Sequence, residues 1–418
     1  YLVRIPDGTA RTLTWPSGIV WDGGSEPNLA YGASDYQVFK LTTRDNGAKW
    51  YGNVSAENSP IRTLWVWGSN NKGVAGQNNT NDGYSSPVQI PGTGWHQIPK
   101  TGGDGSHINI TKNDGTLWSW GYNQNGCLGL NDTNHRSSPT QVGSDTTWSS
   151  GGAGNYNHSW GVKTDGTLWA WGRNLYGQLG LNQPNNTHVS SPIQIPGTTW
   201  SSDITKGDAT YLTRAHIKTD GTLWVWGYGA YGKLGQNQPQ TINLSSPTQI
   251  PGTNWATVSG TYQGLLAIKT DGTLWGWGMN YRGNLGLNDI IKYSSPTQIP
   301  GTTWSKLGGS NNSPIGLKTD GTLWAWGQGG SGQLAQNDRT HRSSPVQIPG
   351  AWSHVGGDPV GLAAIRTNGT LWVWGSNTYG NLGQNNRARY SSPVQVPGNW
   401  ADIRGAVVNM GLRKPTLN

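Results

Sequence analysis

The most regular candidates for acid–base chemistry recur at one place in the sequence, inside a Lys-Thr-Asp-Gly motif or a variant of it. They are Asp114, Asp165, Asp220, Asp271, Asp320 and Asn368. A general acid is needed once, whereas repeated Asp-Gly pairs are typical of tight turns. Glutamate occurs only at Glu26 and Glu57, so no paired carboxylates are indicated. The sequence therefore predicts no catalytic residues and a protein that is not an enzyme.

Side chains that bind metals or cofactors are scattered through the chain. The eight histidines form no His-x-His or His-x-x-x-His pair, and Cys127 is the single cysteine, which excludes an internal disulfide and a cysteine-based zinc site. The sequence contains no Gly-x-x-x-x-Gly-Lys-Ser/Thr phosphate loop. It therefore predicts no metal site and no cofactor.

The charge pattern also excludes two classes of partner. The net charge is +8, but only 12% of residues are charged and the basic ones do not cluster, so we expect no nucleic-acid partner. No apolar run reaches eighteen residues, so we expect no membrane insertion.

A Leu-Trp-x-Trp-Gly motif occurs seven times, with copies 48 to 55 residues apart. The motif begins at Leu64, Leu117, Leu168, Leu223, Leu274, Leu323 and Leu371. A Gly-x-Leu-Gly element, a Ser-Ser-Pro element and a lone tryptophan follow each copy in phase, with degraded Gly-x-Leu-Gly copies at Gly73 and Gly332. Periods of this size indicate a solenoid, a propeller or an array, and no helical period appears. The sequence predicts an all-β fold, a seven-bladed β-propeller with a small N-terminal β-module.

Each repeat predicts four strands, with the lone tryptophan opening the first and Leu-Trp-x-Trp forming the third. After Trp400 the chain supplies a first and a second strand, whereas the segment from Ile61 begins with a third strand. We expect the C-terminal strands to pair with residues 61–67 and to close the ring over residues 60–418, which removes two raw sheet edges.

The Gly-x-Leu-Gly, Asp-Gly-Thr-Leu-Trp-x-Trp-Gly and following proline elements together resemble the repeats of the regulator of chromosome condensation family. The resemblance covers residues 61–418 and implies a seven-bladed propeller. It implies little about function, because that family includes exchange factors, ubiquitin-ligase modules and β-lactamase inhibitors, and a propeller's activity lies in its loops.

Residues 1–59 lie outside the repeats and are predicted to form short strands at 1–5, 10–15, 36–43 and 48–54. The segments T-W-P-S-G-I-V-W-D-G-G-S-E-P (Thr14–Pro27), D-Y-Q-V-F (Asp35–Phe39) and D-N-G-A-K-W-Y-G (Asp45–Gly52) resemble a small β-module of tailed-phage fibre and other virion proteins. The resemblance implies a module at the end of a longer chain. The alternative is a generic β-cap against the first blade.

Comparison of the seven repeats predicts two unlike faces. The Asp-Gly-Thr turns between second and third strands are nearly constant, whereas the loops between first and second and between third and fourth strands differ in every blade. Because strands alternate in direction, the variable loops share one face, the loop face, and the constant turns share the other, the turn face.

The loop face carries the candidate binding residues, which are tyrosines and arginines. They are Tyr176, Tyr231, Tyr281, Tyr379, Arg136, Arg339, Arg342, Arg387, Arg389 and Tyr390. Tyrosine can stack on sugar rings and arginine can bond hydroxyl or acidic groups. The alternative is that these are merely tolerant surface loops.

These patterns predict a non-enzymatic virion structural or adhesion protein of a tailed phage, a tail or capsid fibre component that presents the propeller for host-surface binding. The expected partners are a host cell-surface glycan or protein and other virion proteins, in a homo-oligomer for which the resemblance favours a trimer. The expected location is the virion, an extracellular particle. The alternative is a secreted or cell-surface propeller that binds a protein partner.

Overall fold

A computed structural model of the protein describes residues 63–413, except 97, 99–105, 155–156, 184–185, 239–241, 311, 358–360 and 406–407, and four backbone strands in the first 57 residues. The chain divides into two compact units. One is Thr63–Arg413, and the other is Tyr1–Arg62 together with Lys414–Asn418.

The smaller unit contains a four-stranded sheet. Its strands, in chain order, are Leu2–Arg4, Ile19–Trp21, Tyr36–Thr43 and Trp50–Glu57. The two long strands pair antiparallel at the centre, and Ile19–Trp21 joins Trp50–Glu57 in parallel at one edge. The predicted strand at 10–15 lies outside the described residues.

The larger unit is the predicted seven-bladed all-β propeller, with its blades numbered here by the chain order of their third strands. Six blades are four-stranded antiparallel sheets in the order first, second, third and fourth strand, and blade 2 is a three-stranded sheet with an isolated bridge in place of its first strand. Blade 1 is Trp400–Gly405, Val408–Arg413, Thr63–Gly68 and Tyr84–Gln89. Blade 2 is the bridge from Trp95 to Lys112 followed by His107–Thr111, Leu117–Gly121 and Arg136–Gln141. Blade 3 is Trp148–Gly154, His158–Lys163, Leu168–Gly172 and Val189–Gln194.

The remaining blades follow the same plan. Blade 4 is Gly207–Thr210, Thr213–Ile217, Leu223–Gly227 and Leu244–Ile250. Blade 5 is Trp255–Gly260, Gly264–Lys269, Leu274–Gly278 and Tyr293–Ile299. Blade 6 is Trp304–Ser310, Ser313–Lys318, Leu323–Gly327 and Arg342–Ile348. Blade 7 is Trp352–Gly357, Gly361–Arg366, Leu371–Gly375 and Tyr390–Val396. Short 3-10 turns lie at Asn71–Gly73, Ile204–Lys206 and Ala230–Gly232.

Three tryptophans form the centre of each blade's packing. In blade 5 the ring of Trp255 meets Trp275 and Trp277 at centroid distances of 6.4 and 6.2 Å. The two partners are two positions apart on one strand, so their side chains leave the same side of the sheet. Blades 2, 3, 4 and 6 repeat this pair of contacts. Tryptophan thus supplies apolar burial that a glycine-rich chain otherwise lacks.

The Gly-x-Leu-Gly element joins each blade to the next. In blade 5 Gly283 has a φ of 72°, and a Cβ there would lie 2.4 Å from the Cα of Ser343 in blade 6. The next carbonyl, of Asn284, accepts a hydrogen bond from the Trp326 indole at 3.1 Å. The same indole-to-carbonyl bond links every pair of neighbouring blades, with donors Trp67, Trp120, Trp171, Trp226, Trp277, Trp326 and Trp374. Close packing between blades therefore explains why this glycine and the Ser-Ser-Pro element recur in phase.

The ring closes in blade 1, where the C-terminal strand Val408–Arg413 pairs antiparallel with Thr63–Gly68. Met410 and Leu412 on that strand are buried in the core of blades 1 and 2. The Arg413 guanidinium lies 4.0 Å from the ring centroid of Trp65. A single sheet thus combines both ends of the propeller, which leaves no unpaired strand edge between them.

Candidate functional site

Four of the third-to-fourth loops on the loop face have the same fixed base. In blade 2 the Asn123 amide donates to the Asp132 carbonyl and carboxylate, both at 3.0 Å, and its oxygen accepts the Leu128 N–H at 2.8 Å. Blades 1, 5 and 7 have the same asparagine bracket. The variable residues of these loops therefore project from a rigid platform, which suits precise recognition.

Three of the predicted binding residues serve the structure of their own loops. Arg136 forms an ion pair with Asp132 at 2.5 Å, and Arg342 forms one with Asp338 at 2.7 Å. The Thr340 N–H, and then the Arg342 guanidinium, lower the pKa of Asp338 below its usual value. The Tyr390 hydroxyl accepts the Asn386 amide at 3.1 Å. These three side chains therefore stabilise the conformation of their loops and remain partly exposed.

Two other predicted residues, Tyr379 and Arg387, line one cavity of about 610 Å³ where blade 7 meets blade 1. The other lining residues are Ser69, Asn70, Asn71, Val74, Thr80, Asn81, Asp82, Gly83 and Ser106. Tyr379 is half exposed, and Arg387 and Asp82 are exposed. An aromatic ring, a guanidinium, a carboxylate and several amides in one concavity can bind a polar peptide or saccharide.

The remaining predicted residues lie apart from that cavity. Tyr281 is 43% exposed, accepts the Asn312 amide at 3.1 Å and carries the Arg282 guanidinium 5.1 Å from its ring centroid. Arg339 and Arg389 are exposed, in blades 6 and 7. Tyr231 is partly buried in a 3-10 turn with a φ of 63°.

Tyr176 belongs to a cluster in blades 3 to 5 that sequence reasoning missed. Its ring centroid lies 4.6 Å from that of Tyr228, and Tyr211 lies beside Tyr228 and Tyr262. Beneath these rings lies Lys233, which is fully buried and donates to the Tyr211 carbonyl. The available signal was a lysine at the variable position of Gly-x-Leu-Gly, which is uncharged in the other repeats.

The described histidines and acidic residues show no metal or acid–base centre. Among the residues that the structure describes, no three His, Cys, Asp or Glu side chains are grouped for metal binding. His107 is buried, its Nε2 lies 2.8 Å from the Ser159 hydroxyl, and burial lowers its pKa to about 4. It is therefore neutral near pH 7 and packs as a polar core residue.

The turn face is uniform by contrast. In blade 5 the Lys269 amine lies 4.9 Å from the ring centroid of Trp255 and 4.3 Å from that of Trp275. The same two-ring contact is made by Lys112, Lys163, Lys218, Lys269, Lys318, Arg366 and Arg413. The neighbouring Asp271 accepts the N–H and hydroxyl of Thr273. The repeated Lys, Arg and Asp side chains of this face therefore stabilise the turns and the tryptophan core.

Comparison with known proteins bears on the repeats directly. Six segments match the family model described as the regulator of chromosome condensation (RCC1) repeat, at residues 114–157, 165–209, 220–267, 271–306, 320–356 and 368–404. The chain belongs to this family. The match confirms the resemblance drawn from the repeats; the resemblance of residues 1–59 to virion modules stays a prediction.

Curated relatives share the repeats over part of their length. The chain is 26% identical over 292 residues to the ultraviolet-B receptor UVR8 of Arabidopsis thaliana, which covers 65% of this chain and 63% of the relative. It is 27% identical to the probable E3 ubiquitin-protein ligase HERC4 of Mus musculus, with 48% of this chain and 19% of the relative covered. Human protein RCC2 is 32% identical over 33% of this chain and 26% of its own length. The chain thus spans less than two thirds of each of these relatives.

Solved structures show the same architecture. Human WBSCR16 superposes with a TM-score of 0.74 at 21% identity, over 85% of this chain and all of that one. Yeast RCC1 (Prp20), solved with Kap60 bound, gives 0.73 at 16% identity, over 86% of this chain and 90% of that one. These similarities confirm the predicted seven-bladed propeller.

The comparisons favour one of the two functional predictions. An RCC1-like propeller fits the alternative, a domain that binds a protein partner, better than the phage role. In the part of the chain that the structure describes, no helix is long and apolar enough to span a membrane.

Proposed function

We propose that this protein is a non-enzymatic binding propeller that captures a protein partner through its loop face. The observation that carries the proposal is the cavity lined by Tyr379 and Arg387 where blade 7 meets blade 1. Tyrosine and arginine are the residues that most often contribute strongly to protein–protein binding, and they do so where a concave surface surrounds them. Asp82, which also lines the cavity, adds a site for a basic or amide group of the partner.

The relatives support this kind of function without identifying the partner. UVR8 is named a receptor, yeast RCC1 was crystallised with Kap60, and Prp20p from Saccharomyces cerevisiae was described together with its binding to Gsp1p and histones. A propeller of this architecture can therefore present a protein-binding surface. Which partner this chain binds depends on the side chains of its own loops, because fold alone does not determine function.

The test is site-specific photo-cross-linking in the source cells. A photoreactive amino acid replaces Tyr379 on the loop face, and a matched probe replaces the exposed Thr319 on the turn face. We expect one protein to be recovered from the position 379 probe and absent from the position 319 probe. If the protein is recovered from the position 319 probe alone, it binds the turn face, and the proposal is rejected.

A virion component that binds the host surface is a second candidate, favoured by the W-P-S-G-I-V-W-D-G-G motif within residues 1–59. In that case the partner on the loop face would be a host surface protein or glycan, the other partners would be virion proteins, and the chain itself would form a homotrimer. Antibodies raised against the propeller should then label purified tailed particles in electron microscopy, and light scattering should give three times the chain mass. Particles that carry no label would reject this candidate while leaving partner binding intact.

A further inference from the structure

Lys233 is the charged exception at a position that is neutral in six blades. The equivalent residues, at the second position of Gly-x-Leu-Gly, are Val74, Cys127, Gln178, Asn284, Gln333 and Asn381. The polar ones bond nearby backbone: the Gln178 oxygen accepts the Tyr176 N–H, and the Asn284 amide donates to the Met279 carbonyl. A departure from an otherwise regular repeat marks a place where the structure serves something besides its own stability.

The lysine occupies an aromatic enclosure on the loop face. It has no exposed surface, its amine donates to the Tyr211 carbonyl, and it lies 5.1 and 4.6 Å from the ring centroids of Tyr211 and Tyr228. Burial lowers its pKa to about 7, and no carboxylate of the described residues offsets that effect. Burying an ammonium group without a carboxylate partner lowers the stability of the fold. The sequence therefore keeps Lys233 at a cost in stability.

The rings above the lysine form a continuous row. Successive centroids from Tyr176 to Tyr228, Tyr211 and Tyr262 are 4.6, 6.2 and 5.5 Å apart. All four side chains are partly exposed, so the row is accessible from solvent while the amine beneath it is not. Arg173 adds a further positive charge that acts on Tyr211.

We propose that this tyrosine row over Lys233 is a second binding site on the loop face, for sugar rings that carry negative charge, namely the carboxylated pyranoses of an acidic polysaccharide. The phenol rings offer flat apolar surface and hydroxyl groups to sugar rings. A cation already lies against the inner faces of two rings, so a cationic ligand is repelled and a carboxylate is attracted. An acidic peptide offers the charge without a series of sugar rings whose C–H faces can stack on the phenols.

The site has a pH signature of defined sign. The Lys233 ammonium is present below its folded pKa and is lost as the pH rises through about 7, so attraction for a carboxylate weakens over the same interval. The other titratable or charged groups here are the four tyrosines of the row, Arg173 and His188. Burial lowers the pKa of His188 below its usual value, so its titration falls at a lower pH than that of Lys233.

The test compares the wild type with Lys233→Gln, which installs the residue that blades 3 and 6 carry at this position. The probes are a fluorescent hexamer of galacturonic acid, the same hexamer fully methyl-esterified, and poly-glutamate, each titrated at pH 6 and pH 8. We expect the wild type to bind the acidic hexamer more tightly at pH 6 than at pH 8. Lys233→Gln should bind it roughly threefold to tenfold more weakly at pH 6 and equally at both pH values.

Several outcomes would overturn the proposal. They are no binding of the acidic hexamer, equal binding of the methyl ester, tighter binding of poly-glutamate, or a pH dependence that persists in Lys233→Gln and therefore belongs to His188. Lys233→Gln should melt at or above the wild-type temperature because a buried charge is removed; if it melts lower, Lys233→Asn, from blades 5 and 7, replaces it. Purified protein suffices, so the result is independent of the proposed protein partner.

Discussion

The turn face and the loop face are made from the same seven repeats and use them in opposite ways. On the turn face every blade places a Lys or Arg over two tryptophan rings, as Lys269 does over Trp255 and Trp275. On the loop face the side chains vary between blades: blades 2 and 6 share an Asp–Arg ion pair, blade 7 offers Tyr379 and Arg387, and blade 4 buries a lysine under tyrosines. Repetition therefore marks residues that hold the ring, and departure from repetition marks residues that are available to bind.

The same contrast exists within a single loop. The Gly-x-Leu-Gly half of each third-to-fourth loop packs against the next blade, as Gly283 does against Ser343. The half that follows differs between blades and carries the exposed residues, such as Arg339 in blade 6. The boundary between structure and recognition thus lies inside the loop rather than at its ends.

Removing a tryptophan from the turn-face end of a blade should have the largest effect on the free energy of unfolding. Trp255→Ala deletes a buried ring that contacts two other tryptophans and Lys269, and we expect it to lower the free energy of unfolding by about 3–5 kcal/mol. Tyr379→Ala on the loop face should change it by less than about 0.5 kcal/mol, because that ring is half exposed. Urea unfolding followed by tryptophan fluorescence measures both, and equal losses would remove the contrast between the faces.

Two glycines of the loop face should separate a position packed against the next blade from an open one. In Gly283→Ala the positive φ alone should cost roughly 1–3 kcal/mol, and the contact with Ser343 adds to it. Gly330→Ala is the matched control, since a Cβ there meets only the His341 ring at 3.7 Å. We expect the control to melt within a degree or two of the wild type in calorimetry. If Gly283→Ala melts as the control does, the interblade role of this glycine is wrong.

The Lys269 ammonium over the tryptophan rings should contribute moderately to the free energy of unfolding. Lys269→Ser removes the amine and the stem that lies on the rings, and we expect a loss of about 1–2 kcal/mol. Arg339→Ser, an exposed arginine of the loop face, should cost about 0–0.5 kcal/mol. Denaturant midpoints of the two variants, compared in low and high salt, check this difference. A larger loss for Arg339→Ser would contradict it.

The smallest expected effect on stability is that of Asp145, which lies where most blades have a Pro-Gly turn. A hydrogen bond from the Lys163 amine, at 2.6 Å, is the largest cause that lowers the pKa of Asp145 to about 2. Because the folded pKa is depressed, the stabilisation is present above about pH 4 and is lost as the pH falls towards 2. Since Asp145 is about one-third exposed, solvent screening keeps the effect small. Unfolding curves of the wild type and Asp145→Asn should therefore differ at pH 5 and converge near pH 2; a constant difference would exclude the ion pair as its source.

The sequence alone was sufficient to predict seven blades, because a motif with a fixed period and two in-phase tryptophans needs no knowledge of tertiary contacts. It also predicted that the Asp-Gly-Thr turns share a face, since strands alternate in direction. It did not predict the ring contacts of the lysines on that face, which stand close to aspartates in the sequence. In the structure their amines lie on tryptophan rings from two other strands, such as Trp304 and Trp324 around Lys318.

The binding residues were harder to predict, because loops are positioned by contacts distant in sequence. The i, i+4 spacing of Asp338 and Arg342 could have indicated their ion pair. The cavity that joins Arg387 to Asp82 could not have been predicted from spacing, because the two lie about 300 residues apart in the chain. Lys233 was visible only as a single charged residue in a column of neutral ones. Of the two tyrosines that contact its amine, Tyr228 lies in the same loop and Tyr211 comes from another loop.

The central claim is that the loop face binds and the turn face holds the ring together. The most direct test is the dissociation constant, by titration calorimetry at a temperature where both variants are folded, of the cross-linked partner with two double variants. Tyr379→Ala with Arg387→Ser changes the loop face, and Lys269→Ser with Lys318→Ser changes the turn face. The account predicts at least about tenfold weaker binding for the first and unchanged binding for the second. Unchanged binding of the first variant together with loss of binding by the second would contradict it.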